Sequence, residues 1–273
     1  MTELMKVDKT AEGNQPAVRI ISGWTFTGDF ITERTGSGTG VLIGKDFVLT
    51  VGHNLHLSEE DALRRGLYRP VGEGGVDYIT IQFGYDAGAA AIEVRVTPGR
   101  DQLESRPSFN FLRNDYSVSE SPTDDVALVQ FNRTNSISFD DLSGLIVYMN
   151  DQDSVGLPIR TVGYPGPLVP DQPDNPVFNS ENFVSGEGTI GANNSDGSIT
   201  YEIEIRPGMS GGPIFLQPED GYQLVGGLNR AIDRPVSLES DRFGIFFSYQ
   251  DFQDIFAITE AVDGADAALL PWN

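Results

Sequence analysis

The chain has 273 residues, of which 39% are hydrophobic, so it is long enough to bury one large core or two smaller ones. Forty acidic residues against 18 Lys and Arg give a formal charge of −22, which argues against nucleic acid or an anionic membrane as a partner. The absence of cysteine excludes a disulfide framework, and no apolar run is long enough to span a membrane.

Most of the chain predicts β-structure. Residues 1–16 are polar and predict a disordered lead-in. Residues 59–67 predict a short helix and 100–123 a polar loop, whereas the spacing of Phe252, Ile255 and Phe256 predicts a C-terminal amphipathic helix over 250–262. Short apolar or alternating segments bounded by turn residues predict strands at 18–23, at two places within 38–53, and at 78–83, 91–96, 126–131, 159–162, 187–190, 198–205, 214–216, 222–225 and 243–247.

Three side chains with catalytic chemistry stand at the ends of predicted strands. His53 directly follows a strand end, whereas His56, the only other histidine, lies in a polar stretch. Asp125 opens an apolar strand. Ser210 lies in the segment Gly-Met-Ser-Gly-Gly-Pro at 208–213, where glycines permit a tight turn and close approach of backbone N–H donors. Because a serine hydroxyl needs a base to become a nucleophile, this segment requires a histidine and a carboxylate elsewhere.

The chain order His, Asp, Ser is that of the chymotrypsin-type triad. With the patches named below, the chain resembles the chymotrypsin-like serine peptidases, and within them the bacterial branch that contains the glutamyl endopeptidases. The resemblance spans about residues 36–228 and is carried, in order, by residues 37–44, 49–53, 125–128, 162–166, 201–213 and 224–227.

This resemblance implies an all-β fold of two six-stranded antiparallel β-barrels of chymotrypsin type, with a C-terminal α-helix. The first barrel is expected over 17–145, carrying His53 and Asp125, and the second over 146–273, carrying Ser210. The implied activity is that of a serine endopeptidase acting through an acyl-enzyme.

In that activity Ser210 is the nucleophile, His53 the general base and Asp125 the group that orients the imidazole. The N–H groups of Gly208 and Ser210 are expected to form the oxyanion hole. The implied partner is a protein or peptide substrate. No metal ion or cofactor is expected, and the chain is expected to be a monomer.

The resemblance also points to the pocket for the substrate residue before the scissile bond. Glutamyl endopeptidases place a hydroxyl residue five positions before the nucleophile and a histidine after a Gly-hydrophobic pair. Here those positions hold Ile205 and Leu228, or Asn229 if the register shifts by one. Apolar side chains would leave a substrate carboxylate desolvated and unpaired, so a strict preference for glutamate is not expected. Two nearby charges leave alternatives open: Arg230 would favour an acidic substrate, and Glu204 a basic one.

Two other functions stay open: a catalytically silent binding or regulatory protein on the same fold, and an esterase of small acyl esters. Residues 19–23, Arg-Ile-Ile-Ser-Gly, look like the activation site of animal zymogens. The aspartate that would pair with the new amine is replaced by Met209, so activity without cleavage is expected. The resemblance and the lack of cysteine favour a secreted or periplasmic bacterial protein, although the N-terminus lacks the apolar stretch of a signal peptide.

Overall fold

The computed structural model describes residues 5–8, 16–26, 32–43, 47–56, 76–85, 90, 92–97, 108–111, 125–131, 145–147, 155–166, 181–194, 198–216, 223–230, 243–246 and 257. Regular structure in these residues is almost entirely β. The strands are β1 (Met5–Lys6), β2 (Ala17–Phe26), β3 (Thr32–Ile43), β4 (Phe47–Thr50), β5 (Tyr78–Phe83), β6 (Ile92–Val96), β7 (Ser108–Phe111), β8 (Ala127–Gln130), β9 (Leu145–Val147), β10 (Pro158–Gly163), β11 (Val184–Asn193), β12 (Ser198–Tyr201), β13 (Pro213–Leu216), β14 (Gln223–Arg230) and β15 (Phe243–Phe246).

These strands form two sheets, antiparallel throughout except where β9 pairs with β14. The first sheet has the order β6-β5-β2-β3-β4-β8-β7. In the second, β11 pairs with both β10 and β12, so β11-β10-β13-β14-β15-β12 close into a ring of six strands, with β1 paired to β11 outside it. The all-β fold predicted from the sequence is confirmed. Of the two predicted six-stranded barrels, the second corresponds to this ring of six strands, whereas the first sheet has seven strands and no closing pair among the described residues.

Among the described residues, apolar side chains build three cores: one in each sheet and one shared between the sheets. Strands next to the shared core are buried on both faces. In β3, Val41 belongs to the shared core and Leu42 to the core of the first sheet; in β4, Leu49 and Val48 divide in the same way. Burial on both faces explains why residues 41–43 of β3 and 47–49 of β4 are continuously apolar in sequence rather than alternating. It also brings the ends of β4 and β8 against the second sheet.

Several predicted elements match the described strands, and others differ. β5 matches the predicted 78–83. Within the predicted loop 100–123, β7 pairs with β8, because its Phe-Asn-Phe segment completes the edge of the first sheet. Within the predicted lead-in, β1 pairs with β11 of the second sheet. The helix predicted at 59–67 lies outside the described residues, as does that at 250–262 apart from Ala257, which is helical.

The domain boundaries stay a prediction. β9 begins at residue 145 and pairs in the second sheet, so it crosses the predicted boundary between residues 145 and 146. In the described part of the chain, no helix is both long and apolar enough to cross a membrane.

Candidate active site

His53 lies in a single 3-10 turn, Gly52–Asn54, just beyond the end of β4. The turn is closed by a hydrogen bond from the N–H of Leu55 to the carbonyl of Gly52 at 2.8 Å. Strand β4 pairs along its whole length with β8, whose chain enters through Asp125 and Val126. This pairing brings the turn that carries His53 against the carboxylate that precedes β8.

Asp125 binds His53 with both carboxylate oxygens. Its Oδ1 accepts the backbone N–H of His53 at 2.8 Å, and its Oδ2 lies 2.6 Å from the ring atom Nδ1. The Asp125 side chain is 4% exposed and that of His53 is 21% exposed, so the pair is shielded while the ring keeps an accessible edge. An ionised carboxylate only accepts hydrogen bonds, so Nδ1 carries the proton and Nε2 of the neutral ring is left as the acceptor. This is the tautomer that a general base requires.

Ser210 lies in the loop between β12 and β13, and two glycines shape that loop. Gly208 and Gly211 have φ of +90° and +82°, a region that glycine adopts without strain. A Cβ on Gly208 would lie 2.4 Å from the carbonyl oxygen of Tyr164, and one on Gly211 would lie 2.2 Å from that of Thr39. Both positions therefore require glycine, for backbone conformation and for space.

Four consecutive carbonyl groups of this loop accept hydrogen bonds. In a trans peptide the N–H points opposite to the C=O, so these bonds also orient the N–H groups of Gly208 and Ser210. The bonds join Gly166 N–H to Pro207 O at 2.5 Å, Thr39 Oγ1 to Gly208 O at 2.8 Å, Gly212 N–H to Met209 O at 2.9 Å, and both Thr39 N–H at 2.8 Å and Asn54 Nδ2 at 2.9 Å to Ser210 O.

The structure thus joins two residues of the predicted triad and places the backbone of the third next to the turn that carries His53. His53 and Asp125 are in direct contact. Ser210 lies beside the turn of His53, because its carbonyl accepts a hydrogen bond from Asn54, the next residue in the chain. Their catalytic roles, and the oxyanion role of Gly208, stay predictions.

The residues predicted to line the substrate pocket are mostly buried. Ile205 is 7% exposed and packs in the core of the second sheet. Leu228 is fully buried in the shared core. The side chain of Arg230 is outside the described part of the structure. Substrate binding by these residues therefore stays a prediction.

Asn229 belongs to a buried polar network that contacts the serine loop, the segment 202–212 between β12 and β13. Its Oδ1 accepts the hydroxyl of Tyr201 at 2.6 Å, and its Nδ2 donates to the Thr161 hydroxyl. Burial raises the pKa of Tyr201 well above its ordinary value, which keeps this hydroxyl a neutral donor. The backbone of Asn229 also binds the loop, accepting from Gly211 N–H and donating to Gly212 O, both at 2.8 Å. In the structure the Asn229 amide is hydrogen-bonded to Tyr201 and Thr161. A substrate-binding role for this amide stays a prediction.

Glu204 and Arg206 form an ion pair in the loop between β12 and β13, on the N-terminal side of Ser210. Arg206 donates from Nε and Nη2 to the same Glu204 oxygen, at 2.7 and 2.5 Å. The side chains of Glu204 and Arg206 are 20% and 14% exposed, respectively. Glu204, the residue that would favour a basic substrate, is therefore already neutralised by Arg206.

Sequence reasoning missed Asn54 and the role of Thr39. An asparagine after a histidine looks like an ordinary turn residue, and Thr39 is one of several polar residues in β3. The available signal was the placement of glycine: Gly38 and Gly211 leave room for the Asn54 amide, and Gly163 leaves room for the Thr39 hydroxyl.

Comparisons with known proteins agree with this architecture. A family model described as a trypsin-like peptidase domain matches residues 38–226. A search of curated proteins found no match.

Three solved structures share the fold, at identities too low to show more than the fold. The protease Anisep from Arthrobacter nicotinovorans is 19% identical with a TM-score of 0.59, over 90% of this chain and 96% of its own. A Glu endopeptidase in complex with MPD is 16% identical with a TM-score of 0.63, over 94% and 97%. A scabies mite inactivated protease paralogue is 16% identical with a TM-score of 0.55, over 94% and 99%. Since the family model covers more than half of the sequence, the chain belongs to the trypsin-like peptidase family.

Proposed function

We propose that this protein is a serine endopeptidase that uses Ser210, His53 and Asp125. His53 Nε2 takes the proton of the Ser210 hydroxyl as that oxygen attacks the scissile carbonyl, and it later returns the proton to the leaving amine. Asp125 holds the ring in the required tautomer and stabilises the imidazolium. The N–H groups of Gly208 and Ser210 bind the oxyanion, and water then hydrolyses the acyl-enzyme.

The observation that carries this proposal is the two-point contact between Asp125 and His53. One carboxylate oxygen binds the backbone and the other binds Nδ1, at 2.8 and 2.6 Å. A structural ion pair needs only one of these contacts. The second contact fixes the direction in which the ring presents Nε2, as proton transfer requires.

A neutral substrate side chain before the scissile bond fits this site best. The Glu204–Arg206 pair supports this, because neither charge is left over for a charged substrate group. Binding a basic side chain at Glu204 would require breaking a pair that is largely shielded from water, whereas an apolar or small side chain leaves the pair intact. Leu, Phe, Val and Ala are therefore the expected residues.

The two alternatives differ from this proposal in chemistry or substrate. A silent binding protein has no reactive serine, and the fold alone does not exclude this, since one structural relative is an inactivated protease. An esterase has a reactive serine but no peptide turnover.

A fluorophosphonate probe and a peptide library test these three functions together. The wild-type chain is expected to be labelled and to cleave peptides, while Ser210→Ala is expected to lose labelling and to lose turnover by several orders of magnitude with its thermal unfolding unchanged. Labelling without peptide cleavage would identify an esterase, and no labelling would identify a silent protein.

A further inference from the structure

Asn54 links the two sheets: it belongs to the turn Gly52–Asn54 that follows β4 of the first sheet, and it contacts the loop that carries Ser210 in the second sheet. It is 7% exposed. Its amide nitrogen lies 2.9 Å from the carbonyl oxygen of Ser210, 2.9 Å from the hydroxyl of Thr50 and 3.4 Å from the carbonyl oxygen of Thr39. The hydroxyl of Ser22 donates to the carbonyl of Asn54, so its backbone is held as well.

The surrounding backbone leaves space for this amide and for little else. A Cβ on Gly38 would lie 2.4 Å from Asn54 Nδ2, and one on Gly211 would lie 3.0 Å from the same atom. A Cβ on Gly211 would also meet the Thr50 hydroxyl at 2.3 Å. The Asn54 amide is therefore closely surrounded by two glycine positions and by the oxygen atoms that accept its hydrogen bonds.

We infer that Asn54 is a positioning residue that sets the orientation of Ser210 relative to His53. This inference rests on the proposed function. Ser210 and His53 come from different sheets, and a covalently adjacent residue of the histidine is hydrogen-bonded to the serine's own carbonyl. A shift of the serine loop therefore has to break the bond to Asn54 or move the histidine turn with it.

The second bond to the Ser210 carbonyl, from the backbone N–H of Thr39, fixes the same atom from another direction. Two donors at one carbonyl define the orientation of the Ser210–Gly211 peptide better than one. Asn54 contributes the donor that moves with the histidine turn, whereas Thr39 contributes the donor that moves with β3. Loss of Asn54 is expected to leave the loop attached but less well aligned with the base.

The test replaces Asn54 by a side chain of similar size and branching that lacks the donor. Asn54→Leu is expected to lower kcat by about 10- to 100-fold, the cost of small misplacement of reacting groups, with KM changed by less than about threefold. The matched control is Asn194→Leu, which also removes a side-chain amide hydrogen bond, here to Ser198 Oγ at 2.8 Å, but in the turn after β11. The control is expected to keep wild-type kcat. Wild-type kcat in folded Asn54→Leu would overturn the inference.

A second variant separates positioning from a merely structural role. In Asn54→Asp, the buried carboxyl donates to the Ser210 carbonyl when protonated and repels it when ionised. The ratio of its kcat to the wild-type kcat is expected to fall as pH rises, while the ratio for Asn54→Leu stays constant. A pH-independent ratio for Asn54→Asp would contradict a donor role, whether or not Asn54→Leu folds.

Hydrogen exchange distinguishes failure of this inference from failure of the proposed function. Amides of residues 210–212 are expected to exchange faster in Asn54→Leu than in Asn194→Leu, and this readout does not depend on catalysis. Faster exchange with an inactive wild-type chain would refute the peptidase function alone. Unchanged exchange would refute the inference alone.

Discussion

Replacing Asp125 by asparagine tests the site most directly, because the structure specifies how the new amide must sit. The side chain of Asn has one acceptor and two donors, whereas Asp125 uses two acceptors. The backbone N–H of His53 donates to one terminal atom of this side chain at 2.8 Å, so that atom has to be an acceptor. Satisfying it with the amide oxygen places the amide nitrogen where Oδ2 lies 2.6 Å from Nδ1.

This arrangement inverts the imidazole tautomer. A donor facing Nδ1 forces that atom to accept, so the ring proton moves to Nε2, which then has no lone pair for the Ser210 proton. Turning the amide over would restore the tautomer, but it would set the amide N–H groups against the backbone N–H of His53 and leave a buried donor unsatisfied, at about 1–3 kcal/mol. We expect the inverted tautomer and a loss of about 10⁴ in kcat, equivalent to about 5.5 kcal/mol of barrier.

The assay is steady-state cleavage of a fluorogenic peptide, with kcat and KM measured separately. KM is expected to change little, because no substrate contact is removed. Asp77→Asn is the matched control: its carboxylate accepts the backbone N–H of Thr25 at 2.5 Å, and its replacement is expected to lower the melting temperature without lowering kcat. A kcat for Asp125→Asn within tenfold of wild type would refute the tautomer argument.

Three further predictions concern activation, specificity and pH. Arg19→Gln is expected to be fully active, and protein sequencing is expected to show that its N-terminus is uncleaved. The reason is that Arg19 lies inside β2, which pairs on both sides, with β3 and with β5. An inactive variant would contradict this. A peptide panel varying only the residue before the scissile bond is expected to favour apolar or small residues. A preference for Lys or Arg would contradict the Glu204–Arg206 argument, and a preference for Glu would implicate Arg230 and contradict the expected apolar pocket. Above about pH 10 the unfolded chain releases the Tyr201 proton, whereas the folded chain retains it because burial raises the pKa of this hydroxyl. The free energy of unfolding, measured by urea titration, is therefore expected to fall by up to about 1.4 kcal/mol per pH unit. Tyr201→Phe is expected to lack this contribution.

The local sequence determines much of this protein. Apolar runs bounded by turn residues predict most strands, because strand formation and burial act over a few residues. The position of Ser210 between Gly208 and Gly211 predicts the tight loop, since positive φ and close backbone approach are properties of glycine itself. The strand ends before His53 and around Asp125 follow from the same reasoning.

Tertiary structure decides what those elements bind. The pairing of β1 with the second sheet and the pairing of β7 with β8 have no local signature, because short strands depend on the edge they meet. The pocket residues showed the same limit: the sequence left open that Glu204 would favour a basic substrate, and the structure pairs it with Arg206. The bond from Asn54 to Ser210 joins residues 156 positions apart, and its strength depends on angles and distances that no pattern of residue types contains. The sequence therefore determines where the reactive groups stand along the chain, and packing of the two sheets alone determines how they are aligned with one another.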